Sequence, residues 1–191
     1  MIETIQSLQE KGICPTCYNR ENGGIYADIT DRILYEDDFL ECFFELKPRS
    51  VGHTIILLKE HYHDMSQVPD EVCASVYIFA KKVMNVLKDV LGVERVYLCT
   101  MCDGDVNHFH IQLIPRHPNT PIGSKNFVKD RMEYEENLEY INAIRERLKN
   151  LGLDYTKWRE NLWEDLTLHK LLERAAAGEE KYGVPENVEN I

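Results

Sequence analysis

One long amphipathic helix set among short β-rich runs limits what this chain can fold into more than any other feature. Between Pro69 and Gly92, the residues Val72, Val76, Phe79, Val83, Val86, Leu87 and Val90 keep the i, i+3, i+4 spacing that puts apolar side chains on one helical face. Pro69 stands near its start and Gly92 at its stop. Ahead of it, ILYEDDFLECFFEL (33–46) is broken only at Asp37-Asp38, which predicts two strands joined by a tight turn. Pro48 to Gly52 reads as a loop and His53 to Leu58 as a buried strand. Arg95 to Met101 and Asn107 to Pro115 are two further strands. Strands on both sides of a single helix, with no βαβ alternation, point to an α+β fold with an antiparallel sheet.

The flanks are plainer. Residues 3–11 suit a short amphipathic helix, and Asn22-Gly23-Gly24 a turn. Past residue 117 the chain becomes loop-rich and then acidic, with helices predicted over 130–150 and 155–177. Leu138, Ile141, Ile144 and Leu148 recur at helical spacing, as do Trp158, Leu162, Leu166 and Leu172. They suit amphipathic helices docked on the domain or on a second copy of it. Trp158 and Trp163 fall on different faces. The expected division is a domain over 1–117 and a charged helical extension over 118–191.

With 22 Lys+Arg against 33 Asp+Glu, the 191-residue chain carries a net charge of −11. Such a chain is a poor partner for a nucleic-acid backbone, although a local site can still be positive. No apolar run approaches the roughly 18 residues of a membrane span, and MIETIQSLQEKGICPTC lacks the apolar core of a secretory leader. A cytoplasmic protein is expected. Its six cysteines are then not a disulfide framework. Cys42 and Cys73, among apolar neighbours, read as core thiols.

HFHIQLIPRH carries the chemistry. On a strand, His108, His110 and Gln112 leave from one face, while Phe109, Ile111 and Leu113 enter the core. Cys14-Pro15-Thr16-Cys17 has the gap that lets two thiolates grip one tetrahedral zinc, and His61 and His108 can complete the set. That assignment is favoured over redox use of the pair, which lacks a thioredoxin-like setting. It is also favoured over a site with Cys99 and Cys102, which face opposite ways on a strand. Four protein ligands would make the zinc structural.

From Cys14 to Arg116 the sequence resembles the histidine triad superfamily. The parts occur in order: the Cys-x-x-Cys, YEDDFLECFFEL, GHTIILLKEH, the long helix and HFHIQLIPR. The resemblance implies a five-stranded antiparallel sheet with helices, commonly a homodimer. It also implies an enzyme in which the middle triad histidine, here His110, attacks the α-phosphorus of a nucleotide. Cys14, Cys17, His61 and His108 match the metal ligands of zinc-bearing members, with His61 preferred over His63 on the family register. Glu45 matches the carboxylate that meets the ribose hydroxyls. Phe43, with Phe44 and Ile33, would wall a base pocket, and Gly104, Asn107 and Arg116 are further expected substrate contacts. His53 is read as structural and His117 as a loop histidine.

Two departures refine the expectation. Gln112 stands in the third triad position, as in the branch with galactose-1-phosphate uridylyltransferase and the diadenosine tetraphosphate phosphorylases. The loop ahead of the triad is shortened to Cys102-Asp103-Gly104-Asp105. A carboxamide cannot protonate a leaving group, so groups that depart unaided are favoured. The expected activity is a nucleotide hydrolase or nucleotidyltransferase that cleaves a phosphoanhydride through nucleotidyl-His110. The substrate would be a dinucleoside polyphosphate or a nucleoside diphosphate conjugate. The alternative is a zinc-stabilised nucleotide-binding or sensor module without turnover.

Overall fold

Asp37 turns the first apolar run back on itself: its Oδ1 accepts the N–H groups of Phe39 and Leu40 at 2.8 and 2.9 Å. β1 (Ile33–Glu36) and β2 (Leu40–Phe44) therefore pair antiparallel. β3 (Thr54–Leu58), β4 (Arg95–Cys99) and β5 (His110–Arg116) complete a five-stranded sheet in the order β1-β2-β3-β5-β4, antiparallel throughout. The α+β fold and its five-stranded antiparallel sheet agree with the expectation. The computed structural model describes residues 3–102, 105–120, 122–123, 125 and 130–151. The predicted helix over 155–177, with both tryptophans, lies outside them.

Register decides which side chains share a face. Phe43 opposes Ile55, which opposes Gln112; Glu41 opposes Leu57, which opposes His110. These six side chains therefore project from the same side of the sheet. The intervening residues Leu40, Cys42, Phe44, Ile56, Ile111 and Leu113 project from the other side and are buried. Helices cover that second side. α3 (Asp70–Leu91) buries Val76, Phe79, Ala80, Val83, Val86 and Leu87, and ends at Gly92 in the left-handed conformation (φ 64°). The ring of Phe79 lies 5.1 Å from that of Tyr35.

Helix α4 (Leu138–Asn150) is shorter than predicted, because Asn137 caps it by accepting the N–H of Tyr140. Its Ile141, Ile144 and Leu148 are buried against α3 and β1, whereas Leu138 is exposed. Residues 130–137 run non-helically across the loop before β3, where Met132 donates its N–H to the carbonyl of Pro48 at 2.7 Å.

Three more departures concern elements. The helix expected over 3–11 forms as α1 (Ile5–Glu10), but a second helix, α2 (Pro15–Asn22), passes through the Cys-x-x-Cys, which sequence reading treated only as a ligand pair. Cys73 is half-buried on α3, not a core thiol. β5 begins at His110, which places His108 outside the strand.

Gly52 fixes the loop that delivers His53. Its φ is +79°, and a Cβ there would lie 2.4 Å from Cδ1 of Leu91. Only glycine meets both conditions.

Candidate active site and metal centre

His110 sits at the start of β5 with its ring held from behind. Its Nδ1 lies 2.9 Å from the carbonyl of His108, which assigns the proton to Nδ1 and leaves the lone pair on Nε2. Gln112, two residues on and on the same face, directs its Nε2 amide at that lone pair from 3.2 Å. The Oε1 of Gln112 accepts in turn from Nε2–H of His53 at 3.1 Å. Nδ1 of His53 accepts the backbone N–H of Arg49 at 3.1 Å. Each proton in this chain has one consistent donor. Burial, reinforced by the positive charge of Arg131, lowers the His53 pKa to about 3, so its ring is neutral at ordinary pH.

His108 turns the other way, because it precedes the strand. Its Nδ1 lies 3.5 Å from Sγ of Cys14, 3.5 Å from Sγ of Cys17 and 3.4 Å from Nδ1 of His61. Sγ of Cys17 is 3.4 Å from Nδ1 of His61. A tetrahedral zinc with bonds of about 2.3 Å to sulfur and about 2.0–2.1 Å to nitrogen has S···N edges near 3.5 Å and an N···N edge near 3.3 Å. The donor set and spacing thus fit one tetrahedral cation, with all four ligand atoms within 4.8 Å of one another. Nε2 of His108 donates to the carbonyl of Leu58 at 2.7 Å, the outer hydrogen bond that orients a metal-binding imidazole. Burial and the neighbouring Cys14 push the Cys17 thiol up to about 11, a cost that a cation bound to both sulfurs would reverse.

The sheet face bearing His110 opens on a cavity of about 630 Å³, large enough for a nucleotide; Gln112, buried behind His110, does not itself line it. Phe43, Ile55, Leu57 and His110 form its floor, Glu45 and Lys47 its rim, and Asn19, Arg20 and Tyr26 the facing wall. Phe43 and Glu45 thus share this cavity with His110. Phe44 points to the core side instead. Asn107 and Arg116 do not line the cavity. Arg116 stands at the far end of β5, opposite Arg95 and roughly 20 Å along the strand from His110. Its shared face with His110 was legible, but six residues of strand are too many for a shared contact. Gly104 lies outside the described residues. His117 directs Nε2 to the carbonyl of Val51 at 2.9 Å, as a loop histidine would.

Three contributors escaped sequence reading. His53 was read as structural, although its position eight residues after Glu45 marks the start of the strand beside β5. Arg20 reaches the cavity because the Cys-x-x-Cys opens a helix and Arg20 lies three residues beyond Cys17. Arg131 comes from the extension; its Nη1 donates to the carbonyl of Lys47 at 2.8 Å and lies 3.8 Å from Oε1 of Glu45. No local motif signals that last contact.

The sequence profile of the HIT domain matches residues 27–119. An uncharacterised HIT-like protein of Borreliella burgdorferi is 32% identical over 109 residues, covering 54% of this chain and 78% of its own length. Another, from Methanocaldococcus jannaschii, is 31% identical over 97 residues, 49% of this chain and 74% of its own length.

The chain belongs to the HIT family.

A further HIT relative, adenosine 5'-monophosphoramidase hnt1 of Schizosaccharomyces pombe, is 31% identical over 104 residues, 52% of this chain and 74% of its own. The HIT fold is also matched by a solved histidine triad nucleotide-binding protein of Sulfolobus tokodaii (TM-score 0.56, 23% identity, 73% of this chain and 94% of that one). A zinc-bound histidine triad family protein of Mycobacterium smegmatis matches with TM-score 0.54 and 19% identity, over 73% of this chain and 95% of that one. The HIT profile starts beyond Cys14 and Cys17 and stops short of Arg131. Two members of the candidate metal cluster, and the arginine beside Glu45, therefore come from outside the matched stretch.

Proposed function

We propose that this HIT-family chain cleaves a nucleotide phosphoanhydride through a covalent nucleotidyl-His110 intermediate. The observation that carries the reading is the lone pair on Nε2 of His110, fixed by the Nδ1–His108 bond and placed on the floor of a nucleotide-sized cavity. An imidazole so held is a nucleophile near neutral pH without a separate base. In the first step the Nε2–P bond forms and the bond from the α-phosphorus to its bridging oxygen breaks, so the leaving phosphate or polyphosphate keeps the electron pair. In the second step water or a phosphate-bearing acceptor attacks phosphorus, and the electron pair of the P–N bond returns to His110.

Gln112 supports the phosphoanhydride choice. Its amide can donate to a phosphoryl oxygen as charge develops there, but it has no proton to give a leaving amine. That separates it from an amine-releasing chemistry and favours the galactose-1-phosphate uridylyltransferase and diadenosine tetraphosphate phosphorylase branch. Phe43 would flank the base and Glu45 the ribose hydroxyls. Cys14, Cys17, His61 and His108 would hold a structural zinc, away from the reacting atoms. We assign catalysis to residues 1–117, with 118–191 as an extension, in a cytoplasmic homodimer.

A second reading, a nucleotide-binding or sensor module without turnover, draws on one feature. The Gln112 amide occupies the lone pair of His110 at 3.2 Å, and attack requires that bond to be given up. Mass spectrometry of protein quenched during incubation with diadenosine tetraphosphate, with and without phosphate, separates the two. A nucleotidyl adduct lost in His110→Ala supports the enzyme. Binding with neither adduct nor product in wild type supports the sensor.

A further inference from the structure

The helix that carries the metal ligands also builds a wall of the cavity. Cys14 caps α2 and Cys17 lies in its first turn, while Thr16, Asn19 and Arg20 of the same helix line the cavity. The wall continues through Gly23, Gly24 and Tyr26. Oδ1 of Asn19 accepts the N–H groups of Ile25 and Tyr26 at 2.9 and 3.0 Å, which ties this turn to the helix. Helix and turn therefore form one piece.

Little else fastens that piece to the sheet. α2 has eight residues and buries only Pro15, so it lacks the apolar stripe that docks α3 and α4. Among the described residues, two sets of polar side-chain contacts join it to the sheet strands and the segments that continue them. One is the contact of Cys14 and Cys17 with His61 and His108; the other is Arg20, which donates to the carbonyl of Lys59 and pairs with Glu41 at 3.4 Å. The Arg20–Glu41 pair is partly exposed and weak. His61 and His108 lie on the segments just after β3 and just before β5, the two strands that supply Leu57 and His110 to the cavity floor.

We infer that the Cys14/Cys17/His61/His108 cluster sets the position of the α2 wall, so that metal occupancy and nucleotide affinity are coupled. This goes beyond a structural metal: filling the cluster tightens the cavity, and a nucleotide in the cavity tightens the grip on the metal by the same factor. The coupling rests on the cavity being a nucleotide site; the fastening of the wall does not.

The test uses the full chain loaded with zinc. AMP binding is measured by calorimetry before and after zinc removal, and the chelator concentration for half-removal is measured with and without AMP. Hydrogen exchange is followed over residues 15–26 and over 110–116. Zinc removal should weaken AMP binding by roughly 5- to 100-fold, and AMP should raise the chelator midpoint in step. Residues 15–26 should lose protection while 110–116 keep it. A zinc-free protein that keeps protection at 15–26 and binds AMP equally well overturns the inference. If AMP binds neither form, the nucleotide reading fails, and exchange at 15–26 alone decides whether the cluster fastens the wall. If zinc removal unfolds the strand as well, the cadmium-loaded protein decides: its longer metal–sulfur bonds should change both exchange at 15–26 and AMP affinity, and AMP binding equal to that of the zinc form overturns the inference.

Discussion

Nε2 of His53 donates to Oε1 of Gln112 at 3.1 Å, and that one bond fixes which end of the carboxamide faces His110. With Oε1 taken, the amide nitrogen must point at the nucleophile. A symmetric-looking side chain thereby becomes a directed donor, available for phosphoryl oxygen once a substrate displaces it from the lone pair.

Replacing Gln112 by leucine removes that donor while keeping approximate volume. Turnover of a dinucleoside polyphosphate should fall by about 10²–10³ with a smaller change in KM. Gln112→His instead restores a titratable group, and should raise the ratio of phosphoramidate to phosphoanhydride cleavage. Steady-state kinetics on both substrates check this; an unchanged ratio would count against the leaving-group argument.

Acid should destabilise the fold through His53. Its folded pKa of about 3 lies below the ordinary value of 6.5, so between these values the unfolded chain binds more protons than the native one. Stability is then fully present above about pH 6.5 and falls as pH drops towards 3. His53→Gln should flatten that part of a denaturant midpoint against pH curve, although it will lower the plateau.

Cys14→Ser should release about one equivalent of zinc and lower Tm, since binding energy at a closed site is folding energy. Metal analysis beside thermal unfolding reads both. Full zinc retention would send the assignment elsewhere, for instance to His63.

Gly52→Ala meets Leu91 and a left-handed backbone together. A loss of about 1–3 kcal/mol is expected. Urea unfolding measures it. Because Gly52 precedes His53, activity should drop further than stability alone explains.

Ending the chain after Glu136 deletes α4 and with it Ile141, Ile144 and Leu148, each at most 1% exposed. At about 1.5–3 kcal/mol per buried side chain the loss rivals the whole stability of a domain. Such a protein should fail to show a cooperative melt, whereas a chain ending after Leu151 should keep one.

What could be read from the sequence was what repeats locally. The helix over Asp70–Leu91 was legible to the residue because its apolar spacing, first-turn acids and closing glycine agree. The hairpin around Asp37 was legible from two apolar runs broken at one acidic pair, and the clustering of Cys14, Cys17, His61 and His108 followed from spacing joined to the family resemblance. The failures were of reach. Nothing local says that β5 starts at His110, and the two residues decide whether His108 serves the cavity or the cysteines. Arg116 shares a face with His110 but not a neighbourhood. Arg131 meets Glu45 across 86 positions, a contact that only the path of residues 130–137 creates.

The sheet has two outer strands, and they differ. β1 is covered by α4, whose Arg145 takes the carbonyl of Ile33 at 2.6 Å. β4 has no strand beyond it among the described residues. With α4 laid along β1, the chain itself stops any further strand from adding at that margin.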